Sequence, residues 1–254
     1  MRRLICMTLI MLAIAGGAQA DLSERQLGAR SFLLFEPPGT SGRAPLLLAL
    51  HGGFGSANQY RGALKIEDEA RRRGFRIAYL QGTGSGLRGN FARTWNAGGC
   101  CGPARRKGMD DVGYITGVID TLRSEGVAGS VHMIGHSNGG MMVYRYLCGG
   151  ARRIASAVIT AGAKMVGTCS PKMPSRALVI HGTDDPRVPF KGGKGSGLAG
   201  VVFTSYRQSV GALEAAGVQV KEVVLRGIGH KQRDISQALP AGLSATTAAF
   251  MFED

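Results

Sequence analysis

The sequence predicts an α/β protein with a mostly parallel central sheet and helices on both faces. Short, continuous apolar runs at residues 45–50, 75–80, 131–134 and 177–180 are typical of strands that are buried on both faces. Longer segments with helical spacing separate these runs, and strands that alternate with helices favour a parallel sheet. Because no proline- or serine-rich linker, repeat or long charge block divides the chain, we expect one domain over residues 21–254.

Residues 1–20 have the three parts of a secretory signal peptide. A basic start with two arginines leads into an apolar stretch over residues 4–15, and residues 18–20 (Ala-Gln-Ala) form a small-x-small cleavage site. The apolar stretch is too short for a membrane span, so a retained N-terminal anchor is the weaker interpretation. We therefore expect cleavage after Ala20, a secreted or periplasmic protein, and no stable insertion into a membrane.

The chain is strongly basic, with a formal net charge of +14 at pH 7. A basic surface favours association with an anionic envelope or an acidic polysaccharide. The basic residues are scattered along the chain rather than gathered in one stripe, and export argues against a nucleic-acid partner. We therefore predict no nucleic-acid binding. Nothing in the sequence indicates an oligomeric state.

The first half of the chain predicts a strand, a helix and a glycine-rich loop. Residues 31–36 indicate an early strand, which the prolines at 37–38 stop. A basic helix is predicted over residues 58–73. The glycine-rich loop at 82–86 lacks the spacing of a dinucleotide-binding motif, and no amphipathic helix follows it. We therefore interpret it as a loop over an active site.

Further helices and strands are predicted from residue 110 onward, and the first of them is a helix that follows two acidic residues. Asp110 and Asp111 precede a helical pattern over residues 112–122, and we expect one of the two carboxylates to cap that helix rather than to act in catalysis. Later segments predict a strand at 154–160, a helix at 201–216, an edge strand at 218–225 and a closing helix from about residue 234.

Residues 131–142 consist of a buried strand, a G-x-S-x-G pentapeptide centred on Ser137, and a helix-forming run. This is the context of a nucleophile elbow, in which a serine lies on a tight turn between strand and helix with its oxygen exposed. Gly135 and Gly139 flank the serine because side chains there would collide with the neighbouring strand and helix. The pattern predicts that Ser137 is a nucleophile.

A general base for this serine is expected on a loop after a later strand, because acid and base follow the nucleophile in this arrangement. Of the five histidines, His230 alone follows a late strand on a glycine-flanked loop. We predict that His230 is the base; a surface loop histidine is the alternative. The other four are disfavoured by their positions: His51, His132, His136 and His181.

The acid should come from the loop that follows the apolar run at 177–180, which offers Asp184 and Asp185. One of them must accept a hydrogen bond from His230, which selects the tautomer of the imidazole and stabilises its charged form. We favour Asp185 because it lies directly before a proline on the returning turn. Asp184 is then expected to cap or shape that turn.

The developing charge on a substrate carbonyl oxygen requires two backbone N–H donors. One should come from Asn138, the residue after the nucleophile. The second should come from the loop after the strand at 45–50. Gly53 is the first candidate there and Phe54 the next, an assignment that depends on position alone.

Four cysteines follow the predicted cleavage site, which indicates two disulfides in an exported protein. Cys100 and Cys101 are not expected to pair with each other, because a bridge between neighbours strains the peptide. Each is expected to pair with Cys148 or Cys169, in either connectivity. Metal binding is the competing interpretation, but no C-x-x-C motif or histidine pair accompanies the cysteines, so we predict no metal site.

Several motifs together resemble the polyhydroxybutyrate-depolymerase-like esterases, a group similar to the feruloyl and acetylxylan esterases of carbohydrate esterase family 1. The resemblance spans roughly residues 28–232. The motifs are H-G-G at 51–53, W-N-A-G-G-C-C-G at 95–102, D-D-V-G-Y-I at 110–115, S-N-G-G-M at 137–141 and H-G-T-D-D-P at 181–186. The block at 95–102 is the most specific of them, whereas G-x-S-x-G and H-G-G are generic.

The resemblance implies a secreted serine esterase of the α/β-hydrolase fold with no metal or organic cofactor. It implies Ser137 as nucleophile, Asp185 as acid and His230 as base. It also implies that Trp95 borders the substrate cleft, for which core packing is the alternative, and that a disulfide holds the cysteine-rich loop.

The chain departs from this family after the predicted base. Where the family continues G-H-x-W-P, residues 229–233 are Gly-His-Lys-Gln-Arg. A basic loop replaces the aromatic-proline wall, which is compatible with a shift toward an acidic or carboxylate-bearing substrate. We predict a hydrolase of carboxylic esters, either of the polyhydroxybutyrate type or feruloyl and acetyl esters of polysaccharides. The alternatives are a serine peptidase of the same fold and a non-catalytic envelope-binding protein.

Overall fold

A computed structural model of the chain describes residues 21–40, 42–85, 91–150, 152–170, 175–197 and 201–253. The predicted signal peptide and the last glycine of the predicted 82–86 loop lie outside these ranges. The strands are β1 (Leu22–Leu27), β2 (Arg30–Phe35), β3 (Leu46–Leu50), β4 (Arg76–Leu80), β5 (Thr83–Ser85), β6 (Phe91–Thr94), β7 (Val131–His136), β8 (Ser156–Thr160), β9 (Arg176–Gly182), β10 (Gly193–Lys194), β11 (Val202–Phe203) and β12 (Gln219–Leu225). The helices are α1 (Ala57–Leu64), α2 (Glu67–Arg73), α3 (Gly102–Arg106), α4 (Asp111–Ser124), α5 (Asn138–Gly149), α6 (Tyr206–Ala215), α7 (Gln232–Ala238) and α8 (Gly242–Met251).

The central sheet has the strand order β1-β2-β4-β3-β7-β8-β9-β12. The strands from β4 to β12 pair in parallel, whereas β1 pairs antiparallel with β2 and β2 antiparallel with β4. Two small antiparallel pairs, β5-β6 and β10-β11, lie outside this sheet. The sheet confirms the predicted α/β class, because parallel strands joined by helices are its defining feature.

The sheet separates two hydrophobic cores, and β3 contributes to both. All five of its residues are buried. Successive side chains of a strand point to opposite faces, so Leu46, Leu48 and Leu50 pack with residues of α4 and α5, while Leu47 and Ala49 pack with residues of α1, α2 and α8. Helices therefore cover both faces, as the continuous apolar runs predicted.

Some predicted elements are divided or shortened in the structure. The helix expected over 58–73 is two helices, α1 and α2, because Lys65 takes a left-handed backbone conformation (φ 50°) that ends α1. The helix expected from residue 201 begins at Tyr206, where Ser205 and Gln208 form a capping box. The closing helix from about residue 234 is also two helices, α7 and α8.

The predicted cap of α4 is present. The Asp110 carboxylate accepts a hydrogen bond from the Gly113 N–H at 2.8 Å. Asp111 is buried instead, and its carboxylate accepts hydrogen bonds from the Arg30 guanidinium and the Asn96 N–H, both at 2.6 Å. Both carboxylates are therefore structural: one caps a helix and the other joins three segments of chain.

The disulfide pairing differs from the prediction. Cys148 pairs with Cys169, and Cys100 pairs with its neighbour Cys101. The Cys101 Sγ lies 4.0 Å from the Sδ of Met141, in the first turn of α5. Cys148 lies seven residues further along that helix, roughly 10 Å away along its axis. The cysteine-rich loop and Cys148 therefore lie near opposite ends of α5, which prevents the expected cross-pairing.

Replacing Cys148 and Cys169 together with serine is expected to lower the free energy of unfolding by about 3 kcal/mol. The bridge spans 21 positions of chain, so its loss frees a loop of that length in the unfolded state. Urea unfolding of the wild type and the double variant measures the difference. Equal midpoints and slopes would contradict a stabilising role for this disulfide.

Candidate active site

The turn at Ser137 has the geometry of a nucleophile elbow. Ser137 lies between β7 and α5 with φ 54° and ψ −121°, a backbone conformation that a residue with a side chain rarely adopts. A Cβ at Gly135 would collide with the carbonyl group of Gly139, and a Cβ at Gly139 with that of Leu50. The predicted reason for the two glycines is therefore confirmed: the turn is too tight for side chains on either side of the serine.

Ser137 is hydrogen-bonded in series to a histidine and an aspartate from two later loops. Its Oγ lies 2.9 Å from Nε2 of His230, which follows β12, and Nδ1 of that imidazole lies 2.7 Å from Oδ2 of Asp185, which follows β9. These positions meet because the carboxyl ends of parallel strands lie along one edge of the sheet. Asp184 is exposed, and its carboxylate accepts a hydrogen bond from the Thr183 hydroxyl instead.

The carboxylate of Asp185 is buried and bonded on both oxygens. Oδ1 accepts hydrogen bonds from the backbone N–H groups of Arg187 and Val188 at 2.8 and 2.9 Å. Burial by itself would raise the pKa of Asp185, but the hydrogen bonds from His181 and His230 outweigh it and hold the pKa well below its usual range. Asp185 is therefore an ionised acceptor at neutral pH.

His181 is a second partner of this carboxylate that sequence reasoning missed. Its Nε2 lies 2.9 Å from the Val188 carbonyl oxygen and 3.3 Å from Oδ2 of Asp185, so Nε2 carries the proton. His181 comes too early in the chain to be a base, and its position there indicates no role beside the acid. Its spacing of four residues before Asp185 was the one available signal of this contact.

Three other histidines have structural hydrogen bonds. Burial is the main cause that lowers the pKa of His51 and of His132 to about 4 and that of His136 to about 3. His51 accepts a hydrogen bond from the Gly82 N–H, His132 lies between two serine hydroxyls, and His136 is bonded to the hydroxyl of Thr160. All three imidazoles are therefore neutral at neutral pH.

Acidification from about pH 7 to about pH 5 is expected to destabilise the fold by on the order of 2 kcal/mol for each of His51 and His132. Both are buried, and their pKa values are depressed from 6.5 to about 4. The unfolded chain therefore takes up protons first as the pH falls. Their contribution to stability is complete above about pH 6.5 and is lost progressively down to about pH 4.

Urea unfolding over this pH range measures the effect, and His132→Gln provides the matched variant. It removes the imidazole that is hydrogen-bonded to the hydroxyls of Ser130 and Ser156, away from Ser137, and leaves His51 in place. The variant should lose stability less steeply with falling pH than the wild type. Parallel pH profiles for the two proteins would contradict the assignment.

The backbone N–H groups of Gly53 and Asn138 have no hydrogen-bond acceptor within the described ranges, and both residues line the same cavity as Ser137. The Phe54 N–H donates to the Arg93 carbonyl oxygen at 2.7 Å, so Phe54 is not an available donor. The geometry therefore favours Gly53 over Phe54 as the partner of Asn138.

Trp95 does not border the cleft, which corrects the expectation from the family resemblance. Its side chain is completely buried, and the indole N–H donates to the His51 carbonyl oxygen at 2.8 Å. Its backbone N–H and C=O groups are both bonded to the side-chain amide of Asn138, at 2.7 and 3.0 Å. Trp95 therefore positions the segments that carry the two unpaired N–H groups, and the core-packing alternative is the correct one.

Ser137 opens into a cavity of about 150 Å³. Gly53, Asn138, Arg187 and His230 are among its lining residues, and the exposed ring of Phe54 stands at its rim. No three His, Cys, Asp or Glu side chains cluster in a metal-binding arrangement in the described part of the chain. Within the same residues, none of the helices has the length and apolar character that a membrane span needs.

The sequence is similar to those of two esterases. It is 30% identical over 184 residues to feruloyl esterase B of Piromyces equi, an alignment that covers 69% of this chain and 33% of that protein. It is 26% identical over 167 residues to the bifunctional acetylxylan esterase/xylanase XynS20E of Neocallimastix patriciarum, covering 65% of this chain and 23% of that protein. The chain thus spans a third or less of the length of these relatives. No protein-family model matches it.

The fold is similar to those of solved α/β-hydrolases. TT1662 from Thermus thermophilus superposes with a TM-score of 0.60 at 18% identity, covering 91% of this chain and 96% of that one. LpqC, a poly(3-hydroxybutyrate) depolymerase from Bordetella parapertussis, superposes with a TM-score of 0.58 at 17% identity, covering 91% and 89%. The chain therefore has the α/β-hydrolase fold, and its predicted resemblance to esterases of the acetylxylan, feruloyl and polyhydroxybutyrate-depolymerase kind is confirmed.

Proposed function

We propose that this protein hydrolyses carboxylic esters, with Ser137 as nucleophile, His230 as general base and Asp185 as the acid that orients it. One observation is the main support for this proposal. Asp185, His230 and Ser137 are hydrogen-bonded in series, and Ser137 lies in a cavity that the unpaired N–H groups of Gly53 and Asn138 also line. A serine, a base, an orienting carboxylate and two convergent donors are the complete requirement for acyl transfer.

In the first half of the reaction, Nε2 of His230 takes the proton of the Ser137 hydroxyl as Oγ attacks the ester carbonyl carbon. The carbonyl oxygen gains negative charge, which the N–H groups of Gly53 and Asn138 stabilise. Asp185, held ionised by its hydrogen bonds, stabilises the imidazolium. His230 then gives the proton to the leaving alcohol oxygen, the C–O bond breaks, and an acyl-enzyme ester on Ser137 remains.

In the second half, His230 takes a proton from water as the water oxygen attacks the acyl carbon. The same two N–H groups stabilise the second oxyanion, and the carboxylic acid leaves as the proton returns to Ser137 Oγ. Each proton moves between His230 and an oxygen atom. The cycle consumes one ester and one water and restores the starting enzyme.

The names of the relatives favour esters over peptides as substrates, since both are esterases. The cavity formed by the described residues is smaller than the roughly 300–1,000 Å³ typical of drug-sized ligands, which favours a small group at the reacting carbon. The ester classes that follow from the named relatives are feruloyl and acetyl esters of polysaccharides and 3-hydroxybutyrate esters.

We propose further that the protein acts outside the cytoplasm. Residues 1–20 have the features of a signal peptide, and the disulfide between Cys148 and Cys169 is typical of exported proteins. Fractionation of the native host with an antibody, followed by mass spectrometry of the mature N-terminus, tests this. A cytoplasmic protein that begins before residue 21 would contradict it.

The ester-hydrolase proposal is tested with purified protein and p-nitrophenyl acetate, butyrate and octanoate, together with methyl ferulate, acetylated xylan and 3-hydroxybutyrate oligomers. Hydrolysis of the short nitrophenyl esters, with kcat/KM falling toward octanoate, is the expected result. A fluorophosphonate should label Ser137 and block the activity. No hydrolysis of any ester, or hydrolysis without labelling of Ser137, would overturn the proposal.

A further inference from the structure

Arg187 places a positive charge on the wall of the cavity that contains Ser137. It lies on the loop between β9 and β10, its side chain is exposed, and it lines this cavity together with Ser137 and His230. The proposed reaction chemistry does not use this side chain. Its position beside the nucleophile therefore requires a separate explanation.

The backbone of Arg187 is held by the same carboxylate that binds the base. Its N–H donates to Oδ1 of Asp185 at 2.8 Å. On the other side, a Cβ at Gly195 would collide with the Arg187 carbonyl group, and the Ser196 N–H donates to the Pro186 carbonyl oxygen at 2.7 Å. The backbone of Arg187 is thus held in a fixed position relative to His230, although the Arg187 side chain is exposed to solvent.

The charge of Arg187 is not neutralised by a neighbouring acid. Within the described ranges no carboxylate forms an ion pair with it, and the residues that line the cavity include no Asp or Glu. The nearest carboxylate along the chain, Asp185, is buried, and its oxygens accept hydrogen bonds from backbone N–H groups and from the His230 imidazole, not from the Arg187 guanidinium. Burial is the main cause of the low pKa of His136 on the cavity wall, and the field of Arg187 is among the smaller causes.

We propose that Arg187 makes the enzyme selective for esters that carry a carboxylate close to the scissile bond, an inference that rests on the proposed ester hydrolysis. A guanidinium group presents paired N–H donors in the geometry that a carboxylate accepts. A cavity with one unpaired guanidinium and no acid attracts an anionic substrate and disfavours a cationic one. The carboxylate can lie on the acyl group or on the alcohol, since both parts of an ester lie near the nucleophile.

Two pairs of substrates distinguish a carboxylate on the acyl group from a carboxylate on the alcohol. For the acyl group the pair is p-nitrophenyl hydrogen glutarate and p-nitrophenyl pentanoate, and for the alcohol it is p-acetoxybenzoate and its methyl ester. The measured quantity is the ratio of kcat/KM for the anionic to the neutral member, after subtraction of the uncatalysed rate. The proteins are the wild type, Arg187→Gln, Arg187→Lys and the control Arg207→Gln, which alters an exposed arginine on α6.

In Arg187→Gln the ratio should fall about tenfold for one of the two pairs, as expected for loss of one charge-assisted hydrogen bond. Arg187→Lys should keep part of the preference, Arg207→Gln should keep all of it, and added salt should weaken it in the wild type. Thermal melting of each variant reports on folding. The same ratio in Arg187→Gln as in the wild type, for both pairs, would overturn the proposal.

A protein that is not an ester hydrolase would give a different result from an ester hydrolase in which Arg187 has no role in selectivity. If the wild type hydrolyses neither the anionic nor the neutral esters, ester hydrolysis itself is refuted. Isothermal calorimetry with glutarate then decides about Arg187 alone. Weaker binding in Arg187→Gln than in Arg207→Gln would support carboxylate recognition, and equal binding would overturn it.

Discussion

Replacing Ser137 with alanine is expected to lower kcat/KM for p-nitrophenyl acetate by at least about 10⁴-fold. The Oγ atom is the proposed attacking atom and lies 2.9 Å from Nε2 of His230. Without it, no acyl-enzyme can form, and the N–H groups of Gly53 and Asn138 act only on slow attack by water. Release of nitrophenolate, corrected for the uncatalysed rate, measures the loss.

His230→Ala should cause a loss of similar size, because nucleophile and base act as a unit and their effects are not additive. Ser196→Ala is the matched control, since Ser196 lines the same cavity but is not hydrogen-bonded to His230 in the described structure. This control should retain its activity. Equal activity of the wild type, Ser137→Ala and His230→Ala would refute both residue assignments.

The central part of this site could be predicted from the sequence because its signals are local. The elbow needs glycines at two fixed offsets from Ser137, and the requirement arises from contacts within a few residues of chain. The position of His230 after a late strand was sufficient to place it, because parallel strands end along one edge of the sheet. The same rule brought Asp185 to that edge.

The features that were mispredicted depend on contacts between distant segments. The pairing of Cys100 with Cys101 and of Cys148 with Cys169 follows from the separation of the ends of α5, which spacing in the sequence does not report. Trp95 was expected at the cleft, but the His51 carbonyl oxygen supplies a partner for its indole N–H inside the core. The N–H of a buried tryptophan usually has such an acceptor, which only the folded structure reveals.

Parts of the fold were missed where the apolar pattern is weak. Strand β1 has the sequence Leu-Ser-Glu-Arg-Gln-Leu, and its residues are partly or fully exposed at the edge of the sheet. Pairing with β2 holds it in place, and its own side chains contribute little to the core. The division between α1 and α2 was missed because a lysine in a left-handed conformation has no sequence signature.

Asp185→Asn is expected to lower kcat by about 10³- to 10⁴-fold while leaving the protein folded. Oδ2 accepts hydrogen bonds from His230 and, at longer range, from His181, and Oδ1 accepts them from two backbone N–H groups. An asparagine amide has one acceptor oxygen, so its NH₂ group must face N–H donors in either orientation. With the NH₂ toward His230, the imidazole must place its proton on Nε2, where it can no longer take the proton of Ser137.

Asp184→Asn is the matched control, because it makes the same chemical change one residue earlier on the same loop. The Asp184 carboxylate is exposed and accepts a hydrogen bond from the Thr183 hydroxyl, a bond that an amide oxygen can also accept. Its kcat should stay within about twofold of the wild type, as expected for an exposed site. Only Asp185 is hydrogen-bonded to His230. A loss of equal size in both variants would therefore show that a change in the loop, and not loss of the Asp185 carboxylate, lowers kcat.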